Sequence, residues 1–231
     1  MGSYTIACCN IGTKWDRVWV YRLALMLQEH CRDFDFKVIT DRLEDYPKEW
    51  GVPLSREIVW TDEHHSKIHN SKQMILNRGK PQGCWGKLDA FLPDFSENPV
   101  IVLDLDIVVL DDLQPLTQYA KGMPFDSEGH FNGSVYVFTP DEDTHRVYPQ
   151  KIPYRKFPRG EQEFAAARLK PEPLPGCYSY KNHIASRYKR QPPPDTRIVF
   201  FHGYPTPASD SVQDIGWISR TWRGLDRRER I

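Results

Sequence analysis

Two carboxylates follow the most apolar short segment of the chain, and they are the residues best suited to chemistry. Val100–Leu103 lead directly into Asp104, Leu105 and Asp106. Side chains two positions apart in a strand point to the same face, so Asp104 and Asp106 are predicted to converge where a buried strand ends. Open α/β sheets bind ligands at that carboxyl edge. Mg²⁺ or Mn²⁺ removes the repulsion between two such carboxylates and binds substrate phosphates as well. The alternative is a pair of solvated aspartates in a turn.

The elements around this segment indicate how its edge is built. Residues 4–9 and 34–40 are apolar runs of strand length, and residues 17–30 carry apolar side chains at helical spacing between them. A strand–helix–strand opening predicts an α/β domain with parallel strands. Further strands are predicted at residues 57–61, 130–139 and 197–202, and a helix at residues 85–95. We therefore expect a single α/β domain whose central, mostly parallel sheet is flanked by helices.

Composition excludes several classes of function. The chain has 231 residues with 31 Lys and Arg against 31 Asp and Glu, so a broad basic surface for nucleic acid is not expected. Its mean hydropathy is −0.61, and no apolar stretch approaches the roughly 20 residues that span a bilayer. The five cysteines have no C-x-x-C spacing, and the N-terminus has no basic region followed by an apolar core. We therefore expect reduced thiols in a cytoplasmic protein.

Four motifs, in order along most of the chain, resemble those of the GT-A fold glycosyltransferases, especially the glycogenin-like family 8 enzymes. They are the strand with Asp-Leu-Asp, Phe-Asn-Gly-Ser-Val-Tyr-Val-Phe at 131–138, Gly-Glu-Gln-Glu-Phe at 160–164, and Phe-Phe-His-Gly at 200–203. Upstream, Trp-Gly-Lys-Leu at 85–88 resembles the family's aromatic-x-Lys-Leu segment. The resemblance implies a Rossmann-like GT-A domain. It further implies a nucleotide-binding half at about 1–110, an acceptor and metal half at about 111–210, and a basic tail at 217–231.

The resemblance also implies an activity. The enzyme would transfer a hexose from a nucleotide-sugar, UDP-linked in the family, to a glycan or other hydroxyl acceptor, with retention of anomeric configuration. Asp104 and Asp106 would hold Mn²⁺ or Mg²⁺, with His202 as the third protein ligand. The metal would bridge the diphosphate and neutralise the charge on the leaving nucleoside diphosphate.

Donor-binding residues are implied on the same motifs. Five residues are expected to contact the nucleotide-sugar: Cys8, Asn10, Gly12, Asp104 and Gly203. They lie at the end of the first strand, in the Asp-Leu-Asp segment and at the glycine of the last motif. Lys87 is expected to add a positive contact to the phosphates or the sugar. Asn132 and Glu161 are expected to hydrogen-bond sugar hydroxyls, and Gln162 is expected to lie near the anomeric carbon.

Three departures from the family pattern keep other functions open. Thr206 stands where the family often has a lysine that meets the phosphate, and Glu161 stands where aspartate is usual. Gly133 and Ser134 invert the usual Ser-Gly order. A phosphohydrolase of the haloacid dehalogenase type also has a strand ending in Asp-x-Asp, whose first Asp is the nucleophile. That motif normally lies near the start of the domain, whereas here a strand–helix–strand unit precedes it. The other alternative is a non-catalytic protein that binds nucleotide-sugars, which the missing lysine favours.

Overall fold

The computed structural model describes residues 3–12, 14–40, 54–59, 83–126, 129–149 and 156–223. Its strands are β1 (Tyr4–Asn10), β2 (Phe34–Thr40), β3 (Leu54–Val59), β4 (Val100–Leu103), β5 (Ile107–Val109), β6 (Lys121–Met123), β7 (Val135–Phe138), β8 (Glu172–Pro173), β9 (Cys177–Ser179) and β10 (Ile198–Phe200). Its α-helices are α1 (Arg17–His30), α2 (Glu142–His145), α3 (Glu161–Leu169) and α4 (Gly216–Arg223). The last eight residues of the predicted basic tail lie outside the described part.

The predicted strand–helix–strand opening is confirmed. Helix α1 begins where the side chain of Asp16 accepts a hydrogen bond from the backbone N–H of Val18, at 3.0 Å. Its buried residues include Val20, Leu23 and Leu27, whose spacing of three and four places them on one face. Strands β1 and β2, which precede and follow this helix in the sequence, pair in parallel. The hydrophobic periodicity therefore fixes this part of the domain.

A seven-stranded sheet forms the centre of the domain, in the order β3-β2-β1-β4-β7-β6-β8. The pairs from β3 to β4 are parallel, while β7 is antiparallel to both β4 and β6. Side chains alternate between two core layers: Leu103 and Val135 pack on the side of α1, and Val102 and Tyr136 pack on the side of α3. The predicted α/β class and the mostly parallel central sheet are confirmed.

A second sheet was not predicted from the sequence. It has the order β5-β10-β9, with β10 antiparallel to β5 and parallel to β9. Only β10 was predicted, as part of the strand at residues 197–202; β5 and β9 are three residues long, which is too short for an alternation pattern to mark them. Their buried residues share a core cluster with α1 and α4, so this sheet covers one face of the central sheet.

The predicted helix at residues 85–95 is a 3₁₀-helix at Gly83–Phe91 instead. Trp85, Leu88 and Phe91 are all buried, and their spacing of three aligns them along one face of a 3₁₀-helix. The sequence pattern could not separate that period from the 3.6-residue period of an α-helix. None of the described helices is long and apolar enough to cross a membrane.

Candidate active site

The Asp-Leu-Asp segment connects the two sheets. Asp104 continues the central sheet, because its N–H donates to the carbonyl of Ser134 at 2.9 Å, just beyond the paired strands β4 and β7. Asp106 begins the second sheet, because its carbonyl accepts a hydrogen bond from the N–H of Phe201 at 3.0 Å, next to the β5–β10 pair. Leu105 between them is buried in the core. Two sheets, rather than the alternation of a single strand, therefore fix where these carboxylates lie.

The two carboxylates influence each other strongly. Burial, and next the charge of Asp104, raise the pKa of Asp106 to about 7. The side chain of Asp104 is about a third exposed, whereas Asp106 is buried. A carboxyl group that is buried beside another carboxylate favours its neutral form unless a cation compensates. The pair therefore has the electrostatic character of a site that accepts positive charge.

The ammonium of Lys87 joins three of the four predicted motifs. Its Nζ lies 2.8 Å from Oδ1 of Asp104, 2.7 Å from the carbonyl oxygen of Gly133 and 3.0 Å from Oε1 of Glu161. Burial alone would lower the pKa of Lys87, but the charges of Asp104 and Glu161 outweigh it and hold that pKa well above its ordinary value. The ring of Tyr136 lies against the same ammonium, with its centroid 5.3 Å from Nζ.

The strand predicted at residues 130–139 begins only after a tight turn at Asn132–Gly133–Ser134, so that Val135–Phe138 form β7. The side-chain oxygen of Asn132 accepts from the N–H of Ser134 at 2.8 Å, and Oε1 of Gln162 accepts from the N–H of Gly133 at 3.2 Å. A Cβ on Gly133 would lie 2.7 Å from the Cβ of Gln162 and 2.8 Å from the hydroxyl of Tyr136. Only glycine allows this approach of strand and helix.

Glycine also sets the start of α3. Gly160 precedes the helix with φ 83° and ψ −151°, a backbone conformation that is essentially restricted to glycine. Glu161 and Gln162 follow as the first two helical residues. A carboxylate in the first turn is stabilised by the positive end of the helix dipole, which favours the buried Glu161 at this point. The conformation of Gly160 thus places Glu161 against Lys87.

His202 lies on the segment beside Asp106. Its Nε2 is 2.8 Å from the hydroxyl oxygen of Ser179, and that hydroxyl also accepts a hydrogen bond from the N–H of Asn182 at 3.1 Å. Across the described ranges, no group of three or more His, Cys, Asp and Glu side chains is gathered closely enough to hold a metal ion. The predicted set of Asp104, Asp106 and His202 is therefore not assembled here, because Asp104 is paired with Lys87 and His202 contacts Ser179.

The residues that were predicted to contact the nucleotide differ in burial and in their contacts. Cys8 is fully buried in the core, where burial raises the pKa of its thiol, and this position does not support a nucleotide contact by its side chain. Asn10 ends β1 and accepts a hydrogen bond through its carbonyl from the hydroxyl of Thr40 at 3.0 Å. Gly12 is half-buried and Gly203 is exposed, and the space where a Cβ would stand is open at both.

Several solved structures are similar in fold to this chain. The galactosyltransferase LgtC, solved with donor and acceptor sugar analogues, matches with a TM-score of 0.58 at 14% identity, over 94% of this chain and 93% of LgtC. An active-site mutant of LgtC matches with a TM-score of 0.57 at 11% identity, over 93% and 95%. The glycosyltransferase GlyE of Streptococcus pneumoniae TIGR4 matches with a TM-score of 0.58 at 16% identity; the match covers 99% of this chain but 64% of GlyE. The chain has the GT-A glycosyltransferase fold.

This finding confirms the predicted GT-A fold and the resemblance to family 8 glycosyltransferases at the level of fold. No protein-family model matches the chain. No curated protein matches it either. The division into two functional halves stays a prediction.

Three residues at this candidate site were not predicted from the sequence. The hydroxyl of Tyr136 lies 3.4 Å from Oε1 of Glu161, and Ser179 contacts His202. The charge of Lys14 acts on Asp106 and lowers its pKa against the effect of burial. Tyr136 alternates with valines in its strand, as a core residue would, so the sequence does not mark it as part of the site. Ser179 and Lys14 have no signal in the sequence, because they reach the site through the tertiary fold.

The site is chemically suited to an anionic ligand that arrives with a cation. Asp104, Asp106 and Glu161 bring three carboxyl groups against two ammonium groups, that of Lys87 and the more distant one of Lys14. The resulting negative excess repels a bare diphosphate, and a hard divalent cation at Asp104 and Asp106 would reverse the sign of that interaction. Thr206, which stands in place of the family's lysine, is engaged in a local turn: its N–H donates to the hydroxyl of Ser209 at 2.8 Å.

Proposed function

We propose that the protein is a metal-dependent glycosyltransferase that transfers a hexose from a nucleotide-sugar to a hydroxyl acceptor. One observation carries the proposal: Asp104, Gly133 and Glu161, which come from three motifs separated in the sequence, meet at the ammonium of Lys87. They meet where the central sheet passes into the second sheet, on a fold shared with glycosyltransferases. A fold alone does not assign an activity, so it is the convergence of these two carboxylates and one backbone carbonyl on Lys87 that supports one.

Mn²⁺ or Mg²⁺ is the proposed cofactor. Asp104 and Asp106 would hold it, and His202 would join them once its ring leaves Ser179. The repulsion that raises the pKa of Asp106 to about 7 is the observation of this structure that fits a cation between the two carboxylates. When bound, the ion supplies positive charge that stabilises a leaving nucleoside diphosphate.

The proposed donor is a UDP-sugar, and the proposed acceptor is the hydroxyl of a glycan or other molecule. LgtC was solved with donor and acceptor sugar analogues, which supports this class of substrates for a chain of the same fold. Asn10 and Gly12 are the proposed contacts of the nucleotide, and Asn132, Glu161 and Gln162 are the proposed contacts of the sugar. The acceptor oxygen would bond to the anomeric carbon on the face from which the diphosphate departs, and its proton would pass to the departing phosphate oxygen, which gives retention.

Turnover of UDP-sugars tests the proposal. Purified protein is incubated with Mn²⁺ and a panel of UDP-glucose, UDP-galactose and UDP-N-acetylglucosamine, and released UDP is measured. The wild-type protein is expected to release UDP from at least one of them, and Asp106→Ala is expected to lose this activity by at least about 100-fold, since the cation has one carboxylate fewer. Asp143→Ala, which removes an exposed carboxylate on α2, is the matched control and should retain activity.

Two results would replace the proposal with one of the alternatives. Phosphatase turnover through an aspartyl-phosphate on Asp104 would identify a phosphohydrolase. Saturable binding of UDP-sugars in Mn²⁺, with neither hydrolysis nor transfer to any acceptor tried, would identify a binding protein. Ligand binding to the native state is detected in the second case as an increase in thermal stability.

A further inference from the structure

Lys14 belongs to the loop between β1 and α1, at the edge of the sheet where the candidate site lies. Strand β1 pairs in parallel with β4, with Cys8 opposite Leu103. Both strands therefore end at the same edge, and Lys14 follows the end of β1 by four residues as Asp106 follows the end of β4 by three. Lys14 is exposed, so its ammonium is open to a ligand at this edge.

Aromatic packing holds this loop against the α1 side of the domain. The ammonium of Lys14 lies 4.3 Å from the centre of the Trp15 ring. Trp15 packs on Trp19 of α1, with ring centroids 4.1 Å apart, and Trp19 packs in turn on a tryptophan of α4 at 5.0 Å. Both Trp15 and Trp19 border the core cluster that contains Ile107, the first residue of β5. The loop is therefore held on the side of the central sheet where β5 begins.

Lys14 and Lys87 approach the carboxylates from opposite sides of the central sheet. Trp85 and Leu88, the neighbours of Lys87, belong to the other core cluster, together with α3. On the α1 side, the positive charge of Lys14 acts on Asp106 more strongly than that of the buried Lys87. Because solvent screens an exposed charge more than a buried one, this effect requires the Lys14 ammonium to lie near Asp106. An anionic ligand at this edge is thus attracted from both sides.

The charge balance of the site leaves a role for a further cation. A divalent ion held by Asp104 and Asp106 would have its charge offset by the same two carboxylates, and so would offer a diphosphate little net positive charge. Thr206, which stands in place of a phosphate-binding lysine, supplies none, and its N–H is engaged in a local turn. An exposed ammonium near Asp106 would supply the missing charge.

We propose that the ammonium of Lys14 binds the diphosphate of the nucleotide-sugar donor and supplies the charge that Thr206 lacks. The proposal rests on the proposed function, from which it takes the donor and the divalent cation. Lysine carries a compact charge on a flexible stem, so Lys14 can turn from the face of Trp15 towards a phosphate oxygen. It then exchanges an exposed cation–π contact for a stronger charge-assisted hydrogen bond. The contact acts on the affinity for the donor and for UDP, since both contain the diphosphate.

An effect of Lys14 that acts only through Asp106 predicts the opposite result. The Lys14 ammonium repels a divalent cation at Asp106, so its removal would strengthen the binding of Mn²⁺ and, with it, the binding of UDP. If Lys14 binds phosphate, its removal weakens UDP binding even when Mn²⁺ saturates the site. The sign of the change in UDP affinity therefore separates the two roles.

Titration calorimetry measures the Kd of UDP at saturating Mn²⁺ for the wild-type protein, Lys14→Met and Lys14→Arg. We expect Lys14→Met to weaken UDP binding at least about tenfold, the loss of one hydrogen bond to a charged group, and the difference to shrink as salt is added. Lys14→Arg should stay within about threefold of the wild type, because arginine is itself a good phosphate ligand. Lys121→Met is the matched control and should bind UDP as the wild type does, since Lys121 pairs with Phe138 at the opposite end of the sheet.

The proposal is overturned if Lys14→Met binds UDP as tightly as the wild type or more tightly, if Lys14→Arg loses as much affinity as Lys14→Met, or if the wild-type protein binds no UDP in Mn²⁺. The metal-free Lys14→Met protein should keep its Tm within about 2 °C, as expected for an exposed side chain. A larger fall would assign the effect to packing on Trp15 and also overturn the proposal.

Turnover of UDP-sugars distinguishes failure of this proposal from failure of the proposed function. If the wild-type protein releases UDP from a UDP-sugar and Lys14→Met has an unchanged Kd for UDP, the proposed function stands and the role of Lys14 is refuted. If UDP binding depends on Lys14 but no UDP-sugar is turned over, the role of Lys14 as a diphosphate contact stands and the proposed transferase activity fails.

Discussion

Replacing Gly133 with alanine adds one methyl group at the most crowded point of the site. The new Cβ would lie 2.7 Å from the Cβ of Gln162, 2.8 Å from the hydroxyl of Tyr136 and 3.1 Å from Oε1 of Glu161. The first contact is with an atom next to the backbone of α3, so a change of rotamer cannot relieve it. Helix α3 must move away from the turn, and the hydrogen bond from the N–H of Gly133 to Gln162 must lengthen.

The size of the effect follows from this contact. Inserting a methylene-sized group into a packed site costs about 1–3 kcal/mol. For a domain of this length, each kcal/mol corresponds to roughly 2–4 °C, so a mid-range cost of about 2 kcal/mol lowers Tm by roughly 4–8 °C. Donor turnover should fall further than stability, by more than about tenfold, because Glu161 is displaced relative to Lys87.

Differential scanning calorimetry and UDP release on the same preparations measure both effects. Gly216→Ala is the matched control, because the nearest atom to its new Cβ is the end of Arg220 at 3.7 Å, an ordinary contact at the start of α4. That control should be neutral or slightly stabilising, as expected for glycine to alanine in a helix. A Gly133→Ala protein as stable as Gly216→Ala, with wild-type turnover, would refute the claim that the strand and helix meet through this glycine.

Three further predictions concern charge, pH and backbone. Asp106→Asn should leave the Tm of the metal-free protein equal or higher, because burial and the charge of Asp104 oppose the ionisation of Asp106. Asp104→Asn should lower Tm, because it removes a partner of Lys87. Calorimetry that shows the reverse order would contradict these charge assignments. Burial raises the pKa of the Cys31 thiol from 9.0 to about 11. Urea unfolding should therefore show the free energy of unfolding falling as pH rises between these values, because only the unfolded thiol ionises there. An equally steep fall in Cys31→Ala would exclude this cause. Gly160→Ala should cost about 1–3 kcal/mol in urea unfolding, because alanine rarely adopts its backbone conformation, and an unchanged midpoint would argue against it.

Regular periodicity made the core of the fold predictable. The helix at Arg17–His30 and the strands Phe34–Thr40 and Val100–Leu103 have the bounds that their patterns indicate, because each buries a face or both faces over several residues. The second sheet escaped prediction, although its strand β10 was expected, because β5 and β9 are three residues long and the pairing of β10 with β5 joins segments about 90 residues apart. The 3₁₀-helix at Gly83–Phe91 was expected as an α-helix, since a spacing of three fits both.

The site was predicted in composition more completely than in contacts. The motifs marked Asp104, Lys87, Asn132, Glu161 and Gln162, and the structure brings all five to the turn at Asn132–Gly133–Ser134 or its direct neighbours. Their partners could not be predicted, because a sequence pattern does not show which buried atoms face one another. Lys87 lies among oxygens of Asp104, Gly133 and Glu161, and its predicted contact with the phosphates or the sugar stays a prediction.

Cys8 and His202 show two ways in which position alters a sequence-based role. Cys8 lies two residues before the end of the first strand, but alternation turns its side chain into the core layer that faces α1. His202 does lie beside Asp106, through the hydrogen bond between Phe201 and Asp106, yet its Nε2 contacts Ser179. The register of the second sheet sets the hydrogen bond between Phe201 and Asp106. A single sequence does not show that register.

The binding of UDP with and without a divalent cation tests the central claim most directly. Titration calorimetry compares the wild-type protein in Mn²⁺, the wild-type protein in chelator, and Asp106→Ala in Mn²⁺. The negative excess at Asp104, Asp106 and Glu161 predicts that UDP binds the wild-type protein in Mn²⁺ and that the affinity falls at least about 100-fold in chelator and in the variant. Equal UDP affinity in Mn²⁺ and in chelator would contradict a site that takes its positive charge from a metal.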